Sequence, residues 1–366
     1  MRKERKKRNH KIETVNSINV CFFFRICCMI VEYYKSNLEG FFLDMFEGLS
    51  QKIVGKKIKI VFPEGLEPRI LGAVVRLKAE DLVEPIVIGN VDAVKEAAKG
   101  RGFRLNGIQI IDPTDYAELD EMVASFVARR NGKVTEEQAK KLLLDENYFG
   151  TMLVHMGLAD GLVSGAVHST GDTVRPALQI IKTKPGVSRT SGAFIMIRGT
   201  ERFLFADCAI NINPGAQELA EIAVESAKTA EMFEIQPNVA LMSFSTKGSA
   251  ASPEVDKVVE ATRIAKELAP QYNIDGELQF DAAFSEVVAK QKAPGSTVAG
   301  QAKVFIFPEI QSGNIGYKIA QRFGGFEAVG PILQGLNKPI SDLSRGCNEE
   351  DVYKTAIITA NQTLLD

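Results

Sequence analysis

The stretch VGPILQGLNKPISDLSRGCNEED, residues 329–351, decides how the rest of the chain is read. The apolar run Ala328 to Leu333 predicts a buried strand. A connection punctuated by Gly335 and Pro339 follows. Ser344-Arg345-Gly346 then sets a hydroxyl, a fixed cation and a permissive backbone side by side. Asn348-Glu349-Glu350-Asp351 closes the stretch and opens the last helix. Two readings compete. Asn348-x-x-Asp351 is close to a capping box, and acids in a first helical turn complement the dipole, which makes Asp351 a cap and Arg345 a solvated loop cation. Alternatively, a hydroxyl, a guanidinium and a carboxylate within eight residues bind a phosphorylated substrate and move a proton.

Working outward, 366 residues with 45% apolar and 25% charged composition suit a globular protein of two domains. Five scattered cysteines, three of them before residue 45, make neither a disulfide framework nor a metal spacing, and a reducing cytoplasm is expected. Residues 1–44 differ in texture from the rest. MRKERKKR carries six basic residues in eight, and CFFFRICCMIV is too short to span a bilayer and lacks a cleavage site. The expectation is an N-terminal extension outside the fold, with Met45 as the natural start. Residues 1–44 hold nine Lys+Arg and five Asp+Glu, so the remainder carries 35 against 41, a net charge of −6. That balance argues against nucleic acid as a partner, and no membrane partner is expected.

From Lys56 strands and helices alternate: IKIVFPEG, EPRILGAVVRLKAED, PIVIG, AVKEAAKG and IQIID. Helices are predicted over 114–130 and 135–157, then a short buried strand, GLVSG (161–165), entering a loop from His168 to Thr173. This order implies right-handed βαβ units and largely parallel sheets, with ligands at the carboxyl ends of strands. After Lys184-Pro185-Gly186, GAFIMIRG and RFLFADCAI follow one another without a helix, a hairpin-like insertion. Helices 215–233, 253–268 and 313–322 and strands NVALMSF, 275–281 and KVFIFP make a second α/β unit. The expected division is 45–187 plus 332–366 for domain I and 188–331 for domain II.

Pro176 predicts a helix start, which puts Arg175 at or beside a helix N-terminus, where a cation opposes the dipole unless an anion balances it. The hydroxyl-rich Ser169-Thr170-Gly171-Asp172-Thr173 runs into it. The alternative is a surface Arg175 paired with Asp172. Ser243 to Ser249 is rich in hydroxyls but lacks the order of a P-loop. Asp275, Glu277 and Asp281 at period two would share one face of a strand, yet no complete metal-ligand set accompanies them, and no metal is expected. His155 reads as helix packing, and His168 borders the hydroxyl loop. The absence of G-x-S-x-G and C-x-x-C removes hydrolase and redox readings.

Taken with its neighbours, the 329–351 stretch closely resembles the C-terminal signature of the phosphate acetyltransferases (phosphotransacetylases), within the phosphate acetyl/butyryl transferase family. The resemblance runs from about Met45 to the end. Its other anchors are SGAVHSTGDTVRPALQIIKT (164–183), LFADCAI (204–210), SFSTKGSA (243–250), DGELQFDAA (275–283), APGSTVAGQAKVFIFP (293–308) and GNIGYKIAQR (313–322). It implies two α/β domains with largely parallel sheets and a cleft between them, similar in outline to isocitrate/isopropylmalate dehydrogenase-like folds. It also implies catalytic roles for Ser344, Arg345 and Asp351 and substrate binding by Arg175 and Arg130, with the adjacent Arg129 as the competing match. Ser169, Thr170 and Thr173 join the substrate-binding candidates. The implied reaction is reversible acetyl transfer between acetyl phosphate and CoA, by direct thiolate attack in a ternary complex. CoA would act as substrate, no cofactor would be tightly bound, and a homodimer is expected. Phosphate butyryltransferase chemistry and a non-catalytic acetyl-CoA-sensing domain are the rivals. Retention of Ser344, Arg345 and Asp351 together disfavours the sensor.

Overall fold

Strand β1 (Lys59–Phe62) starts the first sheet because alternate and then continuous apolar residues bury it on both faces. Parallel neighbours β2 (Glu84–Ile88) and β3 (Gln109–Ile111) lie on one side, and β4 (Gly161–Ser164) and β11 (Ile340–Asp342) on the other, giving the order β11-β4-β1-β2-β3. Helices α1 (Pro68–Ala79) and α2 (Val91–Gly100) follow β1 and β2 in βαβ crossovers. The computed structural model describes residues 45–365, and the extension expected over 1–44 lies outside the described residues. From Gly48 onward the chain forms one compact unit.

The second sheet has six strands, in the order β10-β5-β6-β9-β7-β8. β5 (Ser191–Arg198) and β6 (Glu201–Ala206) are the antiparallel hairpin expected from their adjacency. β7 (Asn238–Met242), β8 (Asn273–Leu278) and β9 (Val304–Ile306) are parallel. Helices α7 (Ala216–Met232), α8 (Pro253–Leu268) and α11 (Ile310–Arg322) match three predicted helices to within a few residues. Each sheet has its own apolar core, around Phe126 and Phe149 in the first and Phe203 and Phe305 in the second.

Four local expectations need correction. The helix predicted over 114–130 is a short 3₁₀ turn, Pro113–Asp115, followed by α3 (Leu119–Arg130). The helix predicted over 135–157 is two, α4 (Glu136–Leu142) and α5 (Glu146–His155). Asp145 separates them by accepting the N–H groups of Asn147 (3.0 Å) and Tyr148 (3.1 Å), a capping geometry that outweighs the continuing apolar period. Strand β8 ends at Leu278, and Asp281 sits on α9 (Phe280–Phe284), so it does not share a strand face with Asp275 and Glu277. Instead Asp281 pairs with Lys292 of α10 (Glu286–Lys292) at 2.8 Å, and Asp275 with Lys247 at 2.7 Å and Lys266 at 3.1 Å. Finally, the run Ala328–Leu333 lies in β10 (Glu327–Gln334), an antiparallel edge strand on β5 whose only buried positions are Ile332, Leu333 and Gln334.

Candidate active site

β1, β4 and β11 are neighbours in one parallel sheet, so the loops that leave their carboxyl ends emerge together. They are Pro63-Glu64-Gly65, Gly165 to Ser169, and Leu343 to Cys347. Asp342 is in register with Ser164, and the Leu343 N–H donates to the Ser164 carbonyl at 2.7 Å. Gly165 is required where these loops touch. Its φ is +117°, and a Cβ there would lie 2.5 Å from the Leu343 carbonyl oxygen.

The 165–169 loop is shaped by a residue that the sequence reading missed. The Glu64 carboxylate, 5% exposed, accepts the backbone N–H groups of Gly165 (3.2 Å), Ala166 (2.9 Å), Val167 (2.8 Å) and His168 (2.9 Å). It also faces His168 Nδ1 at 2.8 Å. Burial pushes the Glu64 carboxyl up, but the His168 ring and the loop N–H groups outweigh it and hold the carboxyl below its ordinary range. The same pair raises the His168 imidazole, against partial burial, with Asp145 and Glu146 adding to the effect. The exposed Asp172 also feels His168. A histidine raised in the fold contributes stability that is complete below its unfolded value near 6.5 and is lost as pH rises through the folded value. The melting-temperature gap between the wild type and His168→Ala should therefore be widest below pH 6.5 and narrow by pH 9. A gap that grows with pH would show that His168 is not held charged by Glu64.

Helix α6 (Thr170–Pro176) follows with Ser169 as its N-cap. Ser169 Oγ donates to Asp172 Oδ2 at 2.6 Å, and the Asp172 N–H returns to Ser169 Oγ at 3.3 Å. The Ser169 hydroxyl is thus engaged in a capping box, Thr170 is exposed, and Thr173 is buried with no partner for its hydroxyl among the described residues. Arg175 corrects the sequence reading. It lies inside a helical run, not at a helix start, because the Ser169–Asp172 box begins the helix six residues earlier and the π-helical turn Ala177–Ile181 carries it on past Pro176. There the dipole no longer opposes a cation. The Arg175 guanidinium is exposed, and neither an ion pair nor a hydrogen bond occupies it among the described residues.

A π-helical turn, Ala177–Ile181, continues from α6 and separates the two adjacent arginines of α3. Arg129 Nε and Nη2 donate to the carbonyls of Ile180 and Ile181, the latter at 2.7 Å, so Arg129 caps that turn. Arg130 makes one long contact to the Gln179 carbonyl (3.5 Å), and its buried Nε has no partner.

Ser344 and Arg345 are exposed at the carboxyl end of β11. Ser344 Oγ accepts the Gly346 N–H at 3.2 Å, and the Arg345 side chain has no ion pair among the described residues. Asp351 is the N3 residue of α12 (Glu349–Gln362). Its Oδ2 accepts the Asn348 N–H at 2.9 Å, and Asn348 Oδ1 accepts the Asp351 N–H at 2.9 Å. The capping box read from the sequence is therefore formed, with the Asp351 carboxylate still exposed. Glu350 turns away to pair with Arg76.

Two further residues went unnoticed in the sequence. Arg69, beside the N1 proline of α1, reaches the carbonyls of Arg345 (2.9 Å), Cys347 (2.8 Å) and Ala166 (3.0 Å) while pairing with Glu67 at 2.7 Å. The signal was available: a cation in a first turn opposes the dipole, the rule that was applied to Arg175. Asp342 is buried, and burial pushes its carboxyl up against the opposing pull of the Thr170 and Thr173 hydroxyls beside it.

Comparison with known proteins gives this geometry its class. The family model for phosphate acetyl/butaryl transferase matches residues 44–360. The phosphate acetyltransferase of Bacillus subtilis (strain 168) is 63% identical over 321 residues, covering 88% of this chain and 99% of that protein. The phosphate acetyltransferase of Staphylococcus epidermidis (strain ATCC 12228 / FDA PCI 1200) is 59% identical over 326 residues, with the same coverage. A solved phosphotransacetylase from Streptococcus pyogenes superposes with a TM-score of 0.87 at 61% identity, covering 88% of this chain and 99% of that one. The chain belongs to the phosphate acetyl/butaryl transferase family, and its two largely parallel sheets are the fold of those relatives. It is an acyltransferase. Its reaction is that of a phosphate acetyltransferase, the reversible transfer of acetyl between acetyl phosphate and CoA.

Proposed function

We propose that acetyl transfer takes place at the carboxyl ends of β4 and β11, by direct attack of the CoA thiolate within a ternary complex. Asp351 accepts the thiol proton, the sulfur forms its bond to the acetyl carbon, and the carbon–oxygen bond to phosphate breaks, releasing inorganic phosphate. Ser344 donates to the carbonyl oxygen as charge develops there, and Arg345 and Arg175 hold the phosphoryl group. Arg130 and Thr170 line the approach, Thr173 lies buried behind them, and Ser169 sets the helix that carries Arg175.

The observation that carries this reading is the exposed Ser344 hydroxyl and the exposed Arg345 guanidinium, without an ion pair among the described residues, on the loop that leaves β11 beside the loop that leaves its sheet neighbour β4. Direct transfer is favoured because no described histidine is placed to activate Ser344. His168 is turned to Glu64, and His155, its pKa lowered by burial, lies beside Arg129 and Lys182. A thiol is the better nucleophile, and a serine ester would add a step without gain. The test is CoA-dependent thioester formation from acetyl, propionyl and butyryl phosphates. Acetyl phosphate should be preferred, and a preference for butyryl phosphate would overturn the acyl assignment.

We further propose domains divided near residues 187 and 331, a cytoplasmic location, no tightly bound cofactor, and a homodimer. The location is supported by two buried free cysteines and by the lack, among the described residues, of any helix long and apolar enough to cross a membrane. The homodimer is supported by an apolar surface around a cavity of about 400 Å³ lined by Phe203, Phe205, Phe280, Phe284, Phe305 and Phe307. Phe323 is 91% exposed nearby on the chain, and Ile319 is 52% exposed. Such patches mark association surfaces. Light scattering should give a dimer mass for the wild type and a monomer mass for an Ile319→Asp/Phe323→Asp variant. A monomeric wild type would end the proposal.

A further inference from the structure

The turn between β1 and α1, PEGLEPR at 63–69, contributes no candidate substrate ligand, yet two of its three charged side chains, Glu64 and Arg69, between them bind backbone groups of both active-site loops. Glu64 receives four consecutive N–H groups, from Gly165 to His168, together with the His168 ring. Arg69 donates to the carbonyls of Ala166, Arg345 and Cys347, and its Nη1 lies 3.7 Å from Cys347 Sγ. Ala166 is held from both sides, its N–H by the carboxylate at 2.9 Å and its carbonyl by the guanidinium at 3.0 Å. Glu67 accepts from Arg69 Nε at 2.7 Å, which fixes the direction of the fork.

We infer that this turn is a clasp that sets the spacing between the substrate loop at 165–169 and the catalytic loop at 344–347, with Glu64 and Arg69 as its two positioning residues. The inference rests on the site proposed above. The physical reason is that both loops leave backbone groups they do not satisfy themselves, the N–H groups of Gly165 to His168 and the carbonyls of Ala166, Arg345 and Cys347. A loop that leaves a parallel strand has N–H and C=O groups aimed nowhere, and partly buried ones demand partners. A carboxylate supplies acceptors only and a guanidinium donors only, so the pair fits complementary halves of the same backbone. Because Arg69 bonds to both loops at once, a shift of its guanidinium changes the distance from Ser344 and Arg345 to the helix that carries Arg175. Misplacement of about 1 Å at such a site costs on the order of 10²-fold in rate. A lysine cannot replace this fork, since a single ammonium does not span three carbonyls.

The two residues should separate kinetically. Glu64→Gln turns one acceptor into a donor facing loop N–H groups, so it should raise KM for acetyl phosphate about tenfold or more with a smaller change in kcat. Arg69→Lys should lower kcat about 10²-fold, measured per folded molecule by circular dichroism and melting. Arg69→Ala should recover part of its kcat when methylguanidinium is added, a rescue that a purely stabilising role does not produce. Should Glu64→Gln not fold, Arg69→Lys and the rescue still decide the matter. Full kcat in Arg69→Lys with only a lowered melting temperature, or no rescue of a folded Arg69→Ala, would overturn the clasp. Wild-type enzyme assayed in parallel separates the two questions. If it makes no acetyl-CoA, the reaction is wrong; if it does and the variants match it, only the clasp is wrong.

Discussion

Asp351→Asn is expected to lower kcat by about 10²- to 10⁴-fold, the range for loss of a positioned general base, with little change in melting temperature. The separation is possible because Asp351 has two tasks. Its carboxylate accepts the Asn348 N–H in the capping box of α12, and it is the proposed acceptor of the thiol proton. Asparagine keeps an oxygen that can accept the Asn348 N–H, so the cap survives while the proton acceptor is lost. Ser344→Ala, by contrast, should leave measurable activity, because in the proposed mechanism Ser344 only stabilises developing charge. Initial-rate patterns should intersect, as for a ternary complex. An acetyl group trapped on Ser344 after mixing with acetyl phosphate alone would sink direct transfer. Full kcat in Asp351→Asn would reduce Asp351 to its cap.

Arg175→Ala is expected to raise KM for acetyl phosphate about tenfold or more and KM for CoA far less, since a charge-assisted contact is worth about 1.5–3 kcal/mol. The case for Arg175 has changed its footing. Inside the helical run that continues through Ala177–Ile181 the dipole no longer opposes the cation, so its position alone no longer demands an anion. What remains is an exposed guanidinium without an ion pair among the described residues, about two helical turns beyond the loop that Glu64 organises. Replacing an exposed side chain there should change stability by no more than about 0.5 kcal/mol. Equal rises in both KM values would make Arg175 an organiser of the loop and not a ligand of the phosphoryl group.

Much of this was legible in the sequence for local reasons. Apolar period and Gly/Pro punctuation placed the parallel strands, the β5–β6 hairpin and the last helix, since each depends on residues a few positions apart. The Asn348–Asp351 box was readable on the same grounds, and it formed. Local capping also explains the misreadings. Pro176 suggested a helix start, but Ser169 and Asp172 had already started one, and Asp145 cut a periodic pattern that looked continuous.

By itself the sequence determined which loops would gather together, because the order of strands and helices dictates that loops at carboxyl strand ends lie on one side of a parallel sheet. Only the tertiary structure decided which charged groups hold those loops. Glu64 meets its N–H partners 101 to 104 positions away, and Arg69 meets the carbonyls of Arg345 and Cys347 across 276 and 278. It also gave the two adjacent arginines of α3 different surroundings, sending Arg129 to the π-helical carbonyls and leaving Arg130 Nε without a partner among the described residues. Backbone groups buried by packing must be satisfied by whatever side chain the fold brings to them, and no local pattern names a partner that far along the chain.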